Sequence, residues 1–412
     1  MTLSEEQRRE VLSKVLRTID RQFMGADPDT ARLRQEHESA IIEAADTDQF
    51  EAAMNALLKA LGTSHVGFFH DTRPRAAGRV AIAATFMKTD TPDGPRWMFQ
   101  DVHPGGAAAR AGIRPGDVLL TIDGKDVIPP DGLPFQLGSA YTFTVRRPNG
   151  STTEPTVEVP GSKEKKRPIV VPDQVVTATK LDEGTGVVRV SMFPGVLGMD
   201  VARDMSRAVA DLGADRLIID LRGNTGGGIG CLRLMSLMCS DRRGVGYSVS
   251  RAVAKRGFDK EKLPAFDRIP SSKLGVLPLA LRFARAKRSV AVFTEALGAQ
   301  RHHGRIALLV NEHSASAAEM VAAFAKETGL ATVVGTKTPG RLVATSGFKV
   351  GFGYRVALPV AAYYTWQGTN LEGTGVTPDV DEPLRADALR SGEDNQLRRA
   401  QAESARPTLV AR

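Results

Sequence analysis

The chain predicts an α/β protein in three parts: a helical N-terminal unit, a β-rich unit, and a core of parallel strands joined by helices. Three observations carry that reading. Apolar residues recur at helical spacing over the first seventy positions, short β-type runs divided by Gly and Pro fill about 75–160, and strand-like and helix-like runs alternate from about 178 to 390.

The first unit, 1–72, opens with "TLSEEQRREVLSKVLRTIDRQF", in which Ser4 can cap a helix and Val11, Leu12, Val15, Leu16 and Ile19 share one face. "TARLRQEHESAIIEAA" and "TDQFEAAMNALLKAL" continue the helical pattern, and "LGTSHVGFF" ends it. In the second unit, 75–160, "HPGGAAARAGIRPGDVLLTIDGKDV" reads as a short helix stopped by Gly112, a turn, a strand and a "DG" hairpin turn. This stretch resembles a PDZ domain. The resemblance implies a groove where a peptide adds as a strand, with a carboxylate-binding loop near 78–86 that departs here from the Gly-rich form.

A connector at 161–177 leads to the core, 178–390. "TGVVRVSMF", "DRLIIDL", "RIALLV" and "ATVVG" read as strands, while "VARDMSRAVADLG", "CLRLMSLMC" and "SAAEMVAAFAKETG" read as helices between them. Residues 241–304 read as an irregular, basic, lid-like insertion, and 391–412 as a C-terminal tail.

Composition excludes more than it proposes. The net charge of +8 is spread among 47 acidic residues, and the basic runs "GSKEKKRP" and "RFARAKR" lack the interleaved aromatics of a stacking surface, so nucleic acid is not expected as a partner. Cys231 and Cys239, eight apart in a helical run, stand roughly 12 Å apart along an axis, too far for a disulfide. They read as small buried residues. No cofactor or metal is expected, "HH" at 302–303 lacking further ligands at metal spacing. No run is apolar enough for a secretory signal or a membrane span, which gives a cytoplasmic expectation.

Two loops carry candidate chemistry. "GNTGGG" follows a buried-type strand and opens a helix, so its N–H groups can face an anion or simply form a turn; phosphate-loop and dinucleotide spacings both fail. "LLVNEHSASAAEM" repeats the geometry, placing Ser314 or Ser316 where a serine is either an exposed nucleophile or a helix N-cap. His313, three residues before that point, is expected to face outward. "YYTWQG" at 363–368 is either an aromatic wall for a peptide or strand packing.

"RLIIDLRGNTGGG", "LLVNEHSASAAEM" and "ATVVGTKTPG", ordered behind a PDZ-like unit, resemble the tail-specific, or C-terminal-processing, serine peptidases and their tricorn-type relatives, over about residues 5–382. The resemblance implies a crotonase-like (ClpP-like) α/β spiral core with an inserted PDZ domain, and Ser316 as nucleophile. Where the Ser/Lys branch keeps a lysine base, this chain has Arg341, and Thr345 stands at the branch's glutamine position. Arginine stays protonated near neutral pH and is no base. Only Lys337 or Lys349 could stand in, from shifted positions.

The tricorn-type branch implies another set: His65 in "TSH" as base, Glu372 in "TNLEGTGV" as its carboxylate, and Ser64 as a fourth member. The oxyanion hole then draws on the N–H of Ala317 and of Gly226 or Gly227. Ala317 replaces the acidic residue that shapes a basic-residue pocket in that branch, so that preference is not implied. The expectation is a serine endopeptidase acting on unfolded or C-terminal segments through an acyl-enzyme, with PDZ recruitment or gating and possible homo-oligomers. The alternative is an inactive peptide- or ligand-binding protein on the same fold.

Overall fold

The computed structural model describes residues 3–25, 27–130, 132–162, 169–270, 289–298, 302 and 304–405. Helices Glu5–Gln22, Thr30–Ile42 and Thr47–Lys59 form the N-terminal unit. Each begins where a side chain satisfies backbone donors that have no partner within the helix. Ser4 and Gln7 form a reciprocal capping box, and Asp29 and Asp46 accept the N–H of Arg32 and Gln49 at 2.9 and 2.8 Å. The face formed by Val11, Leu12, Val15, Leu16 and Ile19 is buried against Phe68, Val350, Tyr354, Val356 and Leu358, so this unit packs on a sheet of the core.

Strands Ala84–Thr91, Gly94–Val102, Val118–Ile122, Ala140–Arg146 and Thr156–Glu158 form an antiparallel sheet over Phe99, Leu119, Phe143 and Val145. The "DG" turn is made by Asp123 and Gly124, both at positive φ (49° and 72°), which suits a tight hairpin. The expected carboxylate loop is instead a single helical turn, Gly78–Ala81.

The core has two sheets. Strands Thr185–Val190, Arg216–Asp220, Arg305–Val310, Thr332–Gly335 and Val380–Asp381 run parallel in that order, with Val176–Lys180 antiparallel at the edge. Alternation sorts their side chains. Val188, Leu217, Ile219, Leu308 and Val333 enter the main core, while Ile218, Ala307, Leu309 and Val334 face the other side.

That other side corrects the reading of 391–412 as a tail. Helix Asn395–Ala405 lies on it, with Ala400 fully buried, and Arg222 grips Asp394 at 2.9 and 2.7 Å. Residues 241–304 also differ from the expected irregular lid. Gly244–Ser250 pairs with Tyr354–Thr365 and with Val290–Phe293, placing these described strands of the segment within a second, mostly antiparallel sheet. Val245, Phe266 and Val292 join the main core, which is what fixes the segment there. The basic runs at 163–168 and 282–288 lie outside the described residues. Among the described residues no helix is long and apolar enough to cross a membrane.

Candidate active site

Strand Arg305–Val310 delivers the chain to a tight loop, and helix Ala317–Thr328 leads it away. Of the two serines, Ser314 is structural: it is fully buried, donates to Leu221 O at 2.8 Å and accepts the N–H of Asn311 at 2.9 Å. Ser316 sits at the helix start with φ 59° and ψ −117°, a region costly for a residue bearing a Cβ. Glu319 holds it there. The Glu319 carboxylate accepts N–H from Ser316 (2.9 Å), Gly340 (2.7 Å) and Arg341 (2.8 Å), and the Thr338 hydroxyl (2.7 Å). Burial pushes the Glu319 pKa up, and these four donors oppose the shift. Glu319 was not singled out from the sequence, although the spacing Ser-Ala-Ala-Glu is that of a capping box.

The glycine loop backs directly onto this serine. A Cβ on Gly226 would lie 2.6 Å from Ser316 Cβ and 2.9 Å from Ala317 N, so only glycine fits. Gly226 is nonetheless not a donor to an oxyanion, which corrects its inclusion among the candidates: its N–H is bound to Asn224 Oδ1 at 2.7 Å. Gly228 N–H goes to Phe193 O at 2.7 Å. Among the described residues no hydrogen bond takes the N–H of Gly227 or of Ala317, the first residue of the helix.

Ser64, His65 and Glu372 meet in a second cluster. Glu372 Oε1 accepts from Ser64 N at 2.7 Å and Thr63 Oγ1 at 3.0 Å, and its Oε2 accepts from Ser64 Oγ at 3.0 Å. Ser64 Oγ stands 2.7 Å from His65 Nδ1. Glu372 therefore reaches the imidazole through Ser64 rather than as its direct neighbour. The single hydroxyl proton goes to the acceptor-only carboxylate, so Ser64 Oγ must accept from Nδ1–H. This fixes the tautomer in which Nε2 carries the lone pair.

One segment ties the two clusters together. Arg341 N–H binds Glu319, which holds Ser316, and Leu342 N–H binds Glu372 at 2.9 Å, which holds Ser64. The residue at the expected lysine position thus contributes its backbone. Lys337 and Lys349 are both exposed on the surface.

The loop before Ser316 is clamped by the PDZ domain. His313 does not face outward: its Nε2 lies 3.2 Å from both Phe86 O and Gln100 Oε1, and burial lowers its pKa. Gln100 Nε2 donates to Glu312 at 2.8 Å. Nearby, Asp101 of the PDZ sheet pairs with Arg189 of the core. Tyr363 of "YYTWQG" is buried, Tyr364 stacks on Tyr247 and Trp366 packs on Phe293, so this stretch is largely strand packing. Among the described residues no group of His, Cys, Asp and Glu is arranged to hold a metal; His303 lies outside them. Cys231 and Cys239 are both buried and no disulfide joins them.

Residues 184–382 match the family model described as Peptidase family S41, and residues 98–134 match that of a PDZ domain. The carboxyl-terminal-processing protease of Synechocystis sp. is 27% identical over 357 residues, covering 81% of this chain and 72% of that one. The photosystem II D1 C-terminal processing protease shares the fold at TM-score 0.55 and 18% identity, over 93% of this chain and 96% of that one. The tricorn protease does so at 0.50 and 15%, over 97% of this chain and 37% of that one. A PDZ domain ahead of this core defines a serine peptidase of the C-terminal-processing class. Within it, residues 184–382 are similar to peptidase family S41.

Proposed function

We propose that the chain is an endopeptidase that hydrolyses unfolded or C-terminal polypeptide segments with Ser316 as nucleophile, His65 as general base, and Glu372 acting through Ser64. The observation that carries this is the Ser64 hydroxyl set between Glu372 Oε2 and His65 Nδ1. It leaves Nε2 as the proton acceptor, a role Arg341 cannot fill. As Ser316 Oγ bonds to the scissile carbonyl carbon, its proton passes to Nε2 and the carbonyl oxygen takes negative charge. The N–H groups of Ala317 and Gly227 receive that charge. Collapse breaks the C–N bond, the imidazolium returns its proton to the leaving amine, and water repeats the sequence on the acyl-enzyme.

Glu372 steadies the imidazolium through Ser64 without taking the proton. The clamp of Phe86 and Gln100 on Glu312 and His313 supports gating by the PDZ domain, because moving that domain pulls on the loop that ends in Ser316. The parallel sheet, crossover helices and strand–loop–helix elbows support a crotonase-like spiral for the core. Denatured casein tests the activity. Wild-type protein should digest it and Ser316→Ala should not, at unchanged thermal stability; equal digestion by the two refutes the assignment.

A further inference from the structure

Asn224 lies in the glycine loop, two residues before Gly226, and is fully buried. Both ends of its side-chain amide are spent on backbone. Oδ1 accepts Gly226 N–H at 2.7 Å, closing the local turn that Asn makes with the residue two positions on, and Nδ2 donates to Val190 O at 2.7 Å. The reversed amide would set a donor against Gly226 N–H and an acceptor against Val190 O, so the side chain has one way to sit. The backbone carbonyl of Asn224 accepts Ala315 N–H at 2.9 Å, from the residue before Ser316. One buried residue is thus bonded to the end of strand Thr185–Val190, to the glycine loop and to the elbow.

This anchoring sets the direction of the next peptide along the loop. Phe193 N–H donates to Gly226 O at 2.8 Å and Gly228 N–H donates to Phe193 O at 2.7 Å, which zips the loop to Phe193 on both sides of Gly227. The peptide between Gly226 and Gly227 is trans, so with its carbonyl directed at Phe193 its N–H points the opposite way. Gly226 and Gly227 stand at φ 78° and 135°, and a Cβ on Gly227 would collide with Phe193 O. Glycine permits this conformation but does not impose it, because it enters many others as readily. Among the side chains of the loop, Asn224 is the one bonded to it from within, at the N–H that precedes the turned peptide.

We propose that Asn224 is a positioning residue for the oxyanion hole: it holds the loop in the one conformation that presents Gly227 N–H, beside Ala317 N–H, to the carbonyl oxygen of the bound polypeptide. The proposal rests on the peptidase reading of Ser316. Because the same residue is bonded to Ala315, it also keeps the two donors in a fixed relation to each other, one from the loop and one from the elbow.

To test this, a segment cleaved from denatured casein is remade as an ester at the scissile carbonyl and as the matching thionoester, in which sulfur replaces the carbonyl oxygen. Sulfur is the poorer hydrogen-bond acceptor, so the pair reports on the donors that receive the developing charge. Wild-type protein should turn over the ester at least about a hundredfold faster, the scale of one oxyanion donor. In Asn224→Ala, kcat on the ester should fall by about a hundredfold with KM within about twofold, and the ester-to-thionoester ratio should fall by about tenfold or more. Asn224→Ser, whose hydroxyl closes the same turn more weakly, should lie between the two, and it carries the test if Asn224→Ala does not fold.

An unchanged ratio in a folded variant overturns the positioning role. So does an equal loss on both substrates, which is what general damage to the core produces. Equal wild-type rates on ester and thionoester, with Ser316 still labelled by a fluorophosphonate, overturn the proposal and spare the peptidase. Absence of both turnover and labelling overturns the proposal together with the reading beneath it.

Discussion

Glu319→Gln is the most searching substitution at the elbow, because it keeps the shape and removes the charge. Oε1 accepts from Thr338 and Gly340, and Oε2 from Ser316 and Arg341. A glutamine presents one oxygen and one NH2, so whichever way it turns, two donors face another donor. Thr338 Oγ1, which already accepts Val376 N–H at 2.7 Å, can take the new NH2 on its second lone pair only by turning its own proton away, and that proton then loses the acceptor Glu319 gave it. The site is fully buried, and each charge-assisted bond lost there is worth roughly 1.5–3 kcal/mol, so two cost about 3–6 kcal/mol. Ser316 then relaxes from its positive φ, a strain of about 1–3 kcal/mol that these bonds hold in place. The variant should melt several degrees lower and react with a fluorophosphonate at least about a hundredfold more slowly, a factor that corresponds to roughly 3 kcal/mol. Labelling at the wild-type rate with an unchanged melting temperature would refute the claim that Glu319 holds the elbow.

Two further outcomes follow from the same geometry. Ser64→Ala removes the hydroxyl that orients His65, so kcat on casein-derived peptides should fall by roughly a hundredfold or more while KM changes little, as expected when a base loses its tautomer control. A parallel rise in KM would instead indicate a binding role. Acid titration followed by circular dichroism reports on Asp220: burial raises its pKa, but Arg222 and Arg189 outweigh that and bring it to about 2 from 3.8. A depressed carboxylate stabilises the fold above its unfolded pKa, so that contribution should fade as the pH drops from about 4 towards 2. Stability that is flat through this window would mean that the cluster contributes nothing.

The N-terminal helices, the PDZ hairpin and the parallel strands were legible in the sequence because each is set by local pattern: Ser4 as cap, Asp123-Gly124 as turn, period-two apolar runs as buried strands. The lid-like reading of 241–304 failed because strand Gly244–Ser250 is defined by Ala361–Thr365, more than a hundred positions away. The C-terminal helix was hidden for a related reason, its polar surface being anchored by Arg222 and one buried alanine. At the site, residue types pointed to Ser316, His65 and Glu372, but not to the path between them. That Glu372 meets His65 by way of Ser64, that Gly226 spends its N–H on Asn224, and that His313 meets the PDZ domain are all facts of contact.

The central claim is that Ser316 is a nucleophile activated by His65. It is tested most directly by incubating wild-type and His65→Ala protein with a fluorophosphonate and locating the adduct by peptide mass spectrometry. A single adduct is expected on the peptide containing Ser316 in the wild type, with a labelling rate reduced by orders of magnitude in His65→Ala. An adduct elsewhere, no adduct at all, or equal labelling of the two proteins would contradict it.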